Sequence, residues 1–286
     1  MTLKNTLVEF SQTILPQHFL SQFVSKFTHC ENVTWKNFLI RQIATRYGVL
    51  WDESITQDLN AFKSFNHFFT RELKAGARPL TTDKNAIASP ADGVVSQSGK
   101  IESGDIFQAK GKSFTVTDLL GGDSARAEKF NDGEFTTIYL SPKDYHRLHM
   151  PISGTLREMV HVPGKLFSVN GATTQAVNGL FAKNERVVAI FDTEIGQVAL
   201  VLVGAIFVSS IETIWHGVVT PPTCKEVRHW NYETNAPTLK IGEEMGRFNM
   251  GSTIIVLFEK GKMNWNTDFA AGKSVRVGEK IGQIIF

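Results

Sequence analysis

The apolar residues of the first 80 positions recur at helical spacing. On the first two predicted helices they are Leu7, Phe10, Ile14, Phe19, Phe23 and Phe27. Because proline inside a helix removes a hydrogen bond and causes a kink, Pro16 should open the second of these helices.

A third helix is predicted with Thr34 as its N-cap and Gly48 near its end. Its inward positions would be Trp35, Phe38, Leu39 and Ile43. A fourth helix would carry Phe62, Phe65, Phe69 and Leu73 on one face. Phenylalanines at this density can form a core or a lipid-facing surface, and the pattern leaves both interpretations open.

From about residue 85 the pattern changes to short β-branched runs interrupted by Gly, Pro, Asn and Asp. The predicted strands are 93–95, 135–140, 186–191, 197–208, 253–258 and 283–286. Residues 194–196 separate two of them and predict a hairpin turn. The tail from Val275 to Gln283 resembles the flattened barrel of lipoyl and biotinyl carrier domains.

The predicted fold class is therefore α+β. A helical, membrane-associating segment at 1–82 precedes a β-rich domain at 83–286, which resembles a flattened barrel-sandwich. A chain of 286 residues with 42% hydrophobic content can bury a full core. Its longest apolar run, Val198 to Val208, is far below the ~20 residues of a membrane-spanning helix, so membrane contact should be peripheral.

Charge and cysteine content narrow the choice of partners. A net charge of +2 gives no support for nucleic acid binding. Residues 1–80 hold nine Lys/Arg against six Asp/Glu, which suits an anionic membrane surface and is equally compatible with ordinary solvated lysines. Cys30 and Cys224 form no CxxC pair, and the N-terminus shows no signal peptide pattern, so a reducing, cytosol-facing location is expected.

Gly251 and Ser252 stand directly before an apolar strand and allow two interpretations. The pair is typical of a turn whose hydroxyl caps a backbone group. Alternatively, Ser252 attacks the carbonyl of Gly251, which has no side chain to obstruct the approach. The peptide would become an ester, elimination would break it, and loss of ammonia would leave a pyruvoyl group.

A hydroxyl is a weak nucleophile at neutral pH, so this chemistry needs a base. Ser141 and Asp144 predict a capped single helical turn, on which His146 and His149 would face the same way. The two rings could instead cap backbone groups or bind zinc. Zinc is disfavoured because no cysteine lies nearby and no HExxH pattern is present, so no metal site is predicted. Asp92, on a turn framed by Pro and Gly, and Asp144 are candidate acids to orient the base.

Six segments extend these observations over nearly the whole chain. In order they are FNHFFTREL, SPADG, YLSPKDYHRLHMP, HVPGKLFSVN, GRFNMGSTII and VGEKIGQ. In sequence and separation they resemble the bacterial phosphatidylserine decarboxylases of prokaryotic type I, which are pyruvoyl-dependent. Where this family commonly has Leu, the chain has Met250, an apolar residue of similar volume, so cleavage should persist.

The resemblance implies roles by position. Asp92, His149 and Ser252 would form the charge-relay triad for self-cleavage between Gly251 and Ser252. Asp144 would assist His149, and His146 would lie beside the substrate and help in decarboxylation. The products would be a β chain, 1–251, and an α chain, 252–286, which is too short to fold alone and should stay associated.

The implied cofactor is the pyruvoyl group derived from Ser252, whose carbonyl would form a Schiff base with the serine amine and accept the electrons left by CO2. Phosphatidylserine in the bilayer would become phosphatidylethanolamine. The resemblance also implies a peripheral enzyme on the cytoplasmic side of the inner membrane and a homodimer of processed pairs. Lys165, His146 and Arg186 are candidates to meet the phosphodiester.

Three other functions explain less of the sequence. A serine hydrolase would need GxSxG, and Ile254 stands where the second glycine should be. A P-loop ending at Ser113 would need a glycine at position 106, which is Ile. A non-catalytic membrane scaffold or lipoyl-like carrier module gives no reason for the Asp, His and Gly-Ser residues. A pyruvoyl enzyme that acts on a soluble amino acid stays open.

Overall fold

A computed structural model of the chain describes residues 12, 15–207, 210–220 and 225–285. The helices in these ranges are α1 (Gln17–Thr28), α2 (Val33–Tyr47), α3 (Phe65–Phe69), α4 (Val116–Leu119), α5 (Ser124–Glu128), α6 (Gly171–Ala176) and α7 (Leu180–Lys183), with a 3-10 helix at Leu59–Ala61. The first nine strands are β1 (Ala86–Ala88), β2 (Gly93–Lys100), β3 (Asp105–Ala109), β4 (Lys112–Thr115), β5 (Glu134–Tyr139), β6 (Arg147–His149), β7 (Gly154–Val162), β8 (Arg186–Thr193) and β9 (Gly196–Val203). The remaining strands are β10 (Ser210–Thr213), β11 (Gly217–Val218), β12 (Arg228–Asn231), β13 (Thr238–Leu239), β14 (Glu244–Asn249), β15 (Thr253–Phe258), β16 (Met263–Trp265), β17 (Ser274–Val275) and β18 (Lys280–Ile284).

The two long N-terminal helices follow the predicted boundaries closely. Helix α1 begins directly after Pro16, as predicted. Helix α2 begins two residues earlier than predicted and is capped by Asn32, whose side chain accepts a hydrogen bond from the Trp35 amide, so the prediction of Thr34 as N-cap was wrong. It ends at Gly48, which adopts φ 68° in the left-handed region. The predicted helix that precedes Pro16, with Leu7, Phe10 and Ile14, lies outside the described residues.

The phenylalanines divide between core and surface. Phe62, Phe65, Phe68 and Phe69 are buried and pack together with Ile40. Phe19, Phe23, Phe27 and Phe38, on α1 and α2, are exposed, so the inward position predicted for Phe38 was wrong. The fourth predicted helix is also shorter than expected, because α3 ends at Phe69 and Leu73 instead forms a β-bridge with Ser54.

A large antiparallel sheet carries the β-rich part of the chain. Its strand order is β12-β7-β8-β9-β15-β5-β2-β17, with β13 also paired to β7. Every residue of β15 is buried, because alternate side chains enter two different apolar cores on the two faces of the sheet. The predicted hairpin at 194–196 is confirmed by the pairing of Thr193 with Gly196 between β8 and β9.

The α+β class is confirmed, whereas the expected barrel is not closed. Within the described strands, no pairing joins β12 to β17, the two ends of the large sheet. The tail that predicted a barrel divides between sheets: β17 pairs with β2, while β18 joins β1 and β16 in a separate three-stranded sheet. A third sheet, in the order β11-β10-β14-β6, brings the histidine segment next to the strand that leads to Gly251.

The described helices are all too short or too polar to cross a bilayer.

Candidate active site

The Gly251–Ser252 peptide lies between β14 and β15, where the third sheet meets the large sheet. Ser252 is completely buried. Its carbonyl accepts a hydrogen bond of 2.9 Å from the Leu140 amide, and its hydroxyl donates to the Val203 carbonyl. The hydroxyl proton is therefore held by backbone, and a base has to take it before the oxygen can attack the Gly251 carbonyl.

Met250, which precedes this peptide, has a strained backbone. Its φ is 90°, in the left-handed region that a residue with a Cβ rarely adopts. The conformation is held from both sides: Asn249 accepts a 2.9 Å hydrogen bond from the Asn66 side chain, and the Met250 side chain packs against the phenylalanine cluster. Strain of this kind costs about 1–3 kcal/mol and lies next to the bond that would be cut.

His146 is the predicted residue that the structure places against Gly251. Its Nε2 lies 3.7 Å from the position that a Cβ on Gly251 would occupy. Its Nδ1 lies 2.9 Å from the Asp144 carbonyl, which can only accept, so Nδ1 carries the proton and Nε2 is the basic nitrogen of the neutral ring. Nε2 is buried without a hydrogen-bond partner among the described residues.

Burial also determines the charge of His146. The ring is completely buried and lies 4.0 Å from the Phe69 ring, centroid to centroid. Desolvation lowers the pKa of His146 to about 3, with a further lowering by the positive charge of Arg71 and an opposing effect of the Asp144 carbonyl. At neutral pH the ring is therefore uncharged, and its free Nε2 can accept a proton or a hydrogen bond beside Gly251.

His149 points elsewhere, because residues 147–149 form a strand rather than the predicted helical turn. His149 does not share the orientation of His146, because His146 precedes this strand and has different hydrogen-bond partners. Its Nδ1 donates to the Gly242 carbonyl at 2.9 Å, and its Nε2 lies 3.3 Å from the Tyr145 hydroxyl. Burial lowers the pKa of His149, while the nearby carboxylates of Glu244 and Asp92 act in the opposite direction.

Asp92 lies close to β6 but is bound to an arginine. The His149 amide donates to the Pro90 carbonyl at 2.9 Å, which joins the 89–93 turn to the histidine strand. The Asp92 carboxylate accepts hydrogen bonds from Arg78 and from the Val277 amide, at 2.8 Å and 2.9 Å. Within the described part of the chain, no hydrogen bond joins Asp92 to His149 or His149 to Ser252.

Asp144 stabilises its own turn. Its Oδ2 accepts 2.7 Å hydrogen bonds from both the amide and the hydroxyl of Ser141. The bond from the Ser141 amide is one half of the predicted capping box, but the Ser141 hydroxyl donates to Asp144 where the prediction made it an acceptor. Asp144 reaches the site through its main chain, since its carbonyl fixes the tautomer of His146.

A cavity of about 500 Å³ opens beside Gly251. Helices α1, α2 and α3 form one wall, and the segments 168–170 and 205–207 form the other. The lining is mostly apolar and includes Val24, Ile43, Phe65, Phe69, Val169 and Met250. This cavity has the size and character of a pocket for a largely apolar ligand.

Two residues next to this site, Tyr145 and Arg78, were missed by the sequence analysis. Tyr145 stands in the histidine segment and was the better signal, because a tyrosine directly before His146 and four positions before His149 can reach a neighbouring ring. The pairing of Arg78 with Asp92 is a contact across 14 positions that no local pattern indicates. Arg186, a predicted phosphate ligand, donates to the carbonyls of Leu119, Asn184 and Asp118 instead.

Comparison with known proteins adds an independent line of evidence. The family model described as phosphatidylserine decarboxylase matches residues 65–283, and a second model, described as PSD, matches residues 9–48. A phosphatidylserine decarboxylase proenzyme of Pseudomonas fluorescens is 53% identical over 283 residues, covering 98% of both chains. The proenzyme of Methylococcus capsulatus is 52% identical over 271 residues, which is 95% of this chain and 94% of the relative. A third, from Hahella chejuensis, is 50% identical and covers 100% of this chain and 96% of its own.

These matches extend from the N-terminal helices to the last strands, and so include both the histidine segment and the Gly-Ser peptide. The chain belongs to the phosphatidylserine decarboxylase family.

Proposed function

We propose that this chain is a proenzyme that cuts itself between Gly251 and Ser252 and then converts phosphatidylserine to phosphatidylethanolamine and CO2. The observation that carries the proposal is the buried Gly-Ser peptide with the free, uncharged Nε2 of His146 beside it. The membership in the decarboxylase family agrees with this arrangement.

Self-cleavage begins when the Ser252 oxygen attacks the Gly251 carbonyl and the peptide nitrogen leaves, so that an ester replaces the amide. Removal of the Ser252 α-proton then breaks the ester and leaves a Gly251 carboxylate and a dehydroalanine. Water then replaces the amino group of the dehydroalanine, which departs as ammonia, and the new chain begins with a pyruvoyl group. The strained backbone of Met250 lies next to this bond, and its strain is released when the elimination separates the two chains.

The proton transfers of self-cleavage are assigned to Asp92, His149 and Ser252, in accordance with the family resemblance. His149 takes the hydroxyl proton, Asp92 supports the positive ring by its charge, and Asp144 assists. For this step Nε2 of His149 has to leave the Tyr145 hydroxyl. The electrostatic effect of Asp92 on the pKa of His149 supports the pairing of these two residues.

The pocket fits the pyruvoyl group, since Gly251 and Met250 line a cavity with His146 at its edge. The group supplies an electron sink for the bond that releases CO2. Nε2 of His146, unprotonated in the resting site, first accepts a proton from the substrate's ammonium group and then delivers it to the substrate's Cα. The apolar walls exclude water and take up the part of the lipid next to the head group. Lys165 remains a candidate to contact the phosphodiester, whereas the neutral His146 ring has its N–H on the Asp144 carbonyl and its Nε2 can only accept.

The enzyme lies on the cytoplasmic side of the cell membrane, attached through α1 and α2. The exposed rings of three phenylalanines and the half-buried ring of Trp35 form a continuous row. The centroids are 6.5 Å apart for Phe19 and Phe23, 4.7 Å for Phe23 and Phe27, and 5.9 Å for Phe27 and Trp35. The row suits insertion at a bilayer surface, and α1 and α2 also form walls of the cavity, so a lipid could enter from the membrane. The homodimer of processed pairs belongs to the same proposal.

Intact mass spectrometry of the purified protein tests the reaction. The wild type should give two masses, which correspond to 1–251 and to 252–286, and the mass of the smaller fragment should be lower by one ammonia. Ser252→Ala should stay one uncut, inactive chain. Release of CO2 from dispersed phosphatidylserine, but not from free serine, would separate this activity from that of a soluble amino acid decarboxylase. A cut Ser252→Ala chain would refute the site.

A further inference from the structure

A second cavity, of about 260 Å³, lies behind the histidine segment. It is lined by Arg71, Lys143 and Tyr145 on one side and by Ser274 on strand β17 on the other. It shares no lining residue with the apolar cavity beside Gly251. Its walls are rich in charged groups, whereas the walls of the first cavity are mostly apolar.

Arg71 is the unusual group in this cavity. Its side chain is only 3% exposed, yet no carboxylate of the described residues lies within ion-pair distance of it. Its Nη2 has a single long hydrogen bond of 3.4 Å to the Lys143 carbonyl, and its Nε has no partner in the described chain. Arg126 and Arg147, by contrast, pair with carboxylates, and Arg186 donates to three carbonyls.

An arginine in this state needs an anion. Guanidinium cannot lose its proton in a protein, so Arg71 cannot escape the cost of burial by becoming neutral. A buried charge is tolerated when it is paired and hydrogen-bonded, and the ring of Phe68, 5.4 Å from the guanidinium, does not provide a hydrogen-bond acceptor for Nε.

The three carboxylates of the cavity do not fill this role. Arg78 holds both Glu53 and Asp92, and Asp144 is bound to Ser141. Lys143 is exposed at the cavity wall and has no ion pair within the described ranges. The space therefore contains two cations, Arg71 and Lys143, that are not neutralised by a contact, and anionic groups that are already engaged.

We propose that this cavity binds a single oxyanion of the phosphate class through the guanidinium of Arg71, with Lys143 at its rim. The planar fork of N–H groups suits two oxygens of one phosphate. The bound anion also lies within electrostatic reach of the active site, because the charge of Arg71 acts on His146. The source of the oxyanion is either free phosphate or the phosphodiester of a lipid head group.

Thermal unfolding of the full-length protein tests the site. Inorganic phosphate should raise Tm in a saturable way compared with sodium chloride of equal ionic strength, because a ligand that binds the folded state stabilises it. Arg71→Gln should lose this rise. Arg41→Gln, the same change at an exposed position of α2, should keep it. An equal rise in wild type and Arg71→Gln, or none in wild type, would overturn the proposal and leave water as the partner of Arg71.

Two further variants cover the case in which Arg71→Gln does not fold. Arg71→Lys keeps the charge without the fork, and should bind phosphate at least several-fold more weakly. Ser274→Glu places a carboxylate at an exposed position of the cavity wall and should abolish the rise. Unchanged phosphate dependence in both variants would also reject the site.

Glycerophosphoserine identifies the source. If it produces the Arg71-dependent rise at lower concentration than phosphate does, the site takes the phosphodiester of the head group. If phosphate alone produces it, the ligand is a free oxyanion. If neither compound produces an Arg71-dependent rise, the cavity is not an oxyanion site.

Discussion

Replacing Phe19 and Phe23 by serine should weaken membrane binding without unfolding the protein. The two side chains are 66% and 51% exposed, so they contribute little to the core. Full burial of a phenylalanine side chain stabilises by about 1.5–3 kcal/mol, and these exposed fractions correspond to roughly 2–3.5 kcal/mol together. The double variant should therefore bind vesicles roughly 30–400-fold more weakly.

Vesicle flotation measures this effect, with lipid concentration varied to obtain the partition constant. Phe107→Ser is the matched control, because Phe107 is 45% exposed and lies on β3, not on α1 or α2. Thermal unfolding should give similar Tm values for all three proteins. If the Phe19 and Phe23 double variant floats as wild type does, or if Phe107→Ser weakens binding equally, the attachment through α1 is wrong.

Three predictions concern the histidine segment. His149→Ala should stay uncut, whereas His146→Ala should be cut but should release little CO2. Intact mass measures the cut and CO2 release measures turnover. The opposite pattern would mean that His146 acts in self-cleavage and His149 in decarboxylation. Tyr145→Phe should speed self-cleavage by about 2–10-fold, the value of one net hydrogen bond, since it frees Nε2 of His149, and a slower reaction would contradict this. Burial lowers the pKa of His146, so below about pH 6.5 the unfolded chain binds a proton that the folded chain does not bind. The free energy of unfolding therefore falls as the pH drops below this value. Relative to His146→Asn, wild type should lose about 1 kcal/mol between pH 7.5 and 5.5 in urea unfolding, and an equal loss in both would mean that the ring is not buried.

Local pattern was sufficient to predict six of the strands and the two long helices, although β9 ends at Val203 and not at 208. The run 253–258 is short, apolar and β-branched, and it forms β15 with the predicted bounds. Proline and glycine marked the start of α1 and the end of α2 because both residues act through their own backbone.

Pattern was not sufficient where long-range pairing decides the conformation. Residues 141–149 contain a cap-like spacing, yet β14 pairs with residues 147–149 and holds them in a strand. The pairing includes His149 but not His146, and the two rings have different partners. The partners of Asp92 could not be predicted either, because Arg78 and Val277 approach it from distant parts of the chain.

The placement of β15 has a consequence for the protein after it has been cut. The strand begins one residue beyond Ser252 and pairs along six residues with β5 on one side and six with β9 on the other. Pulling out the short fragment would expose two unpaired strand edges and open both apolar cores at once. A covalent break at this position therefore leaves a noncovalent joint that can separate only when the whole sheet melts, so fragment release and global unfolding should coincide in a single transition.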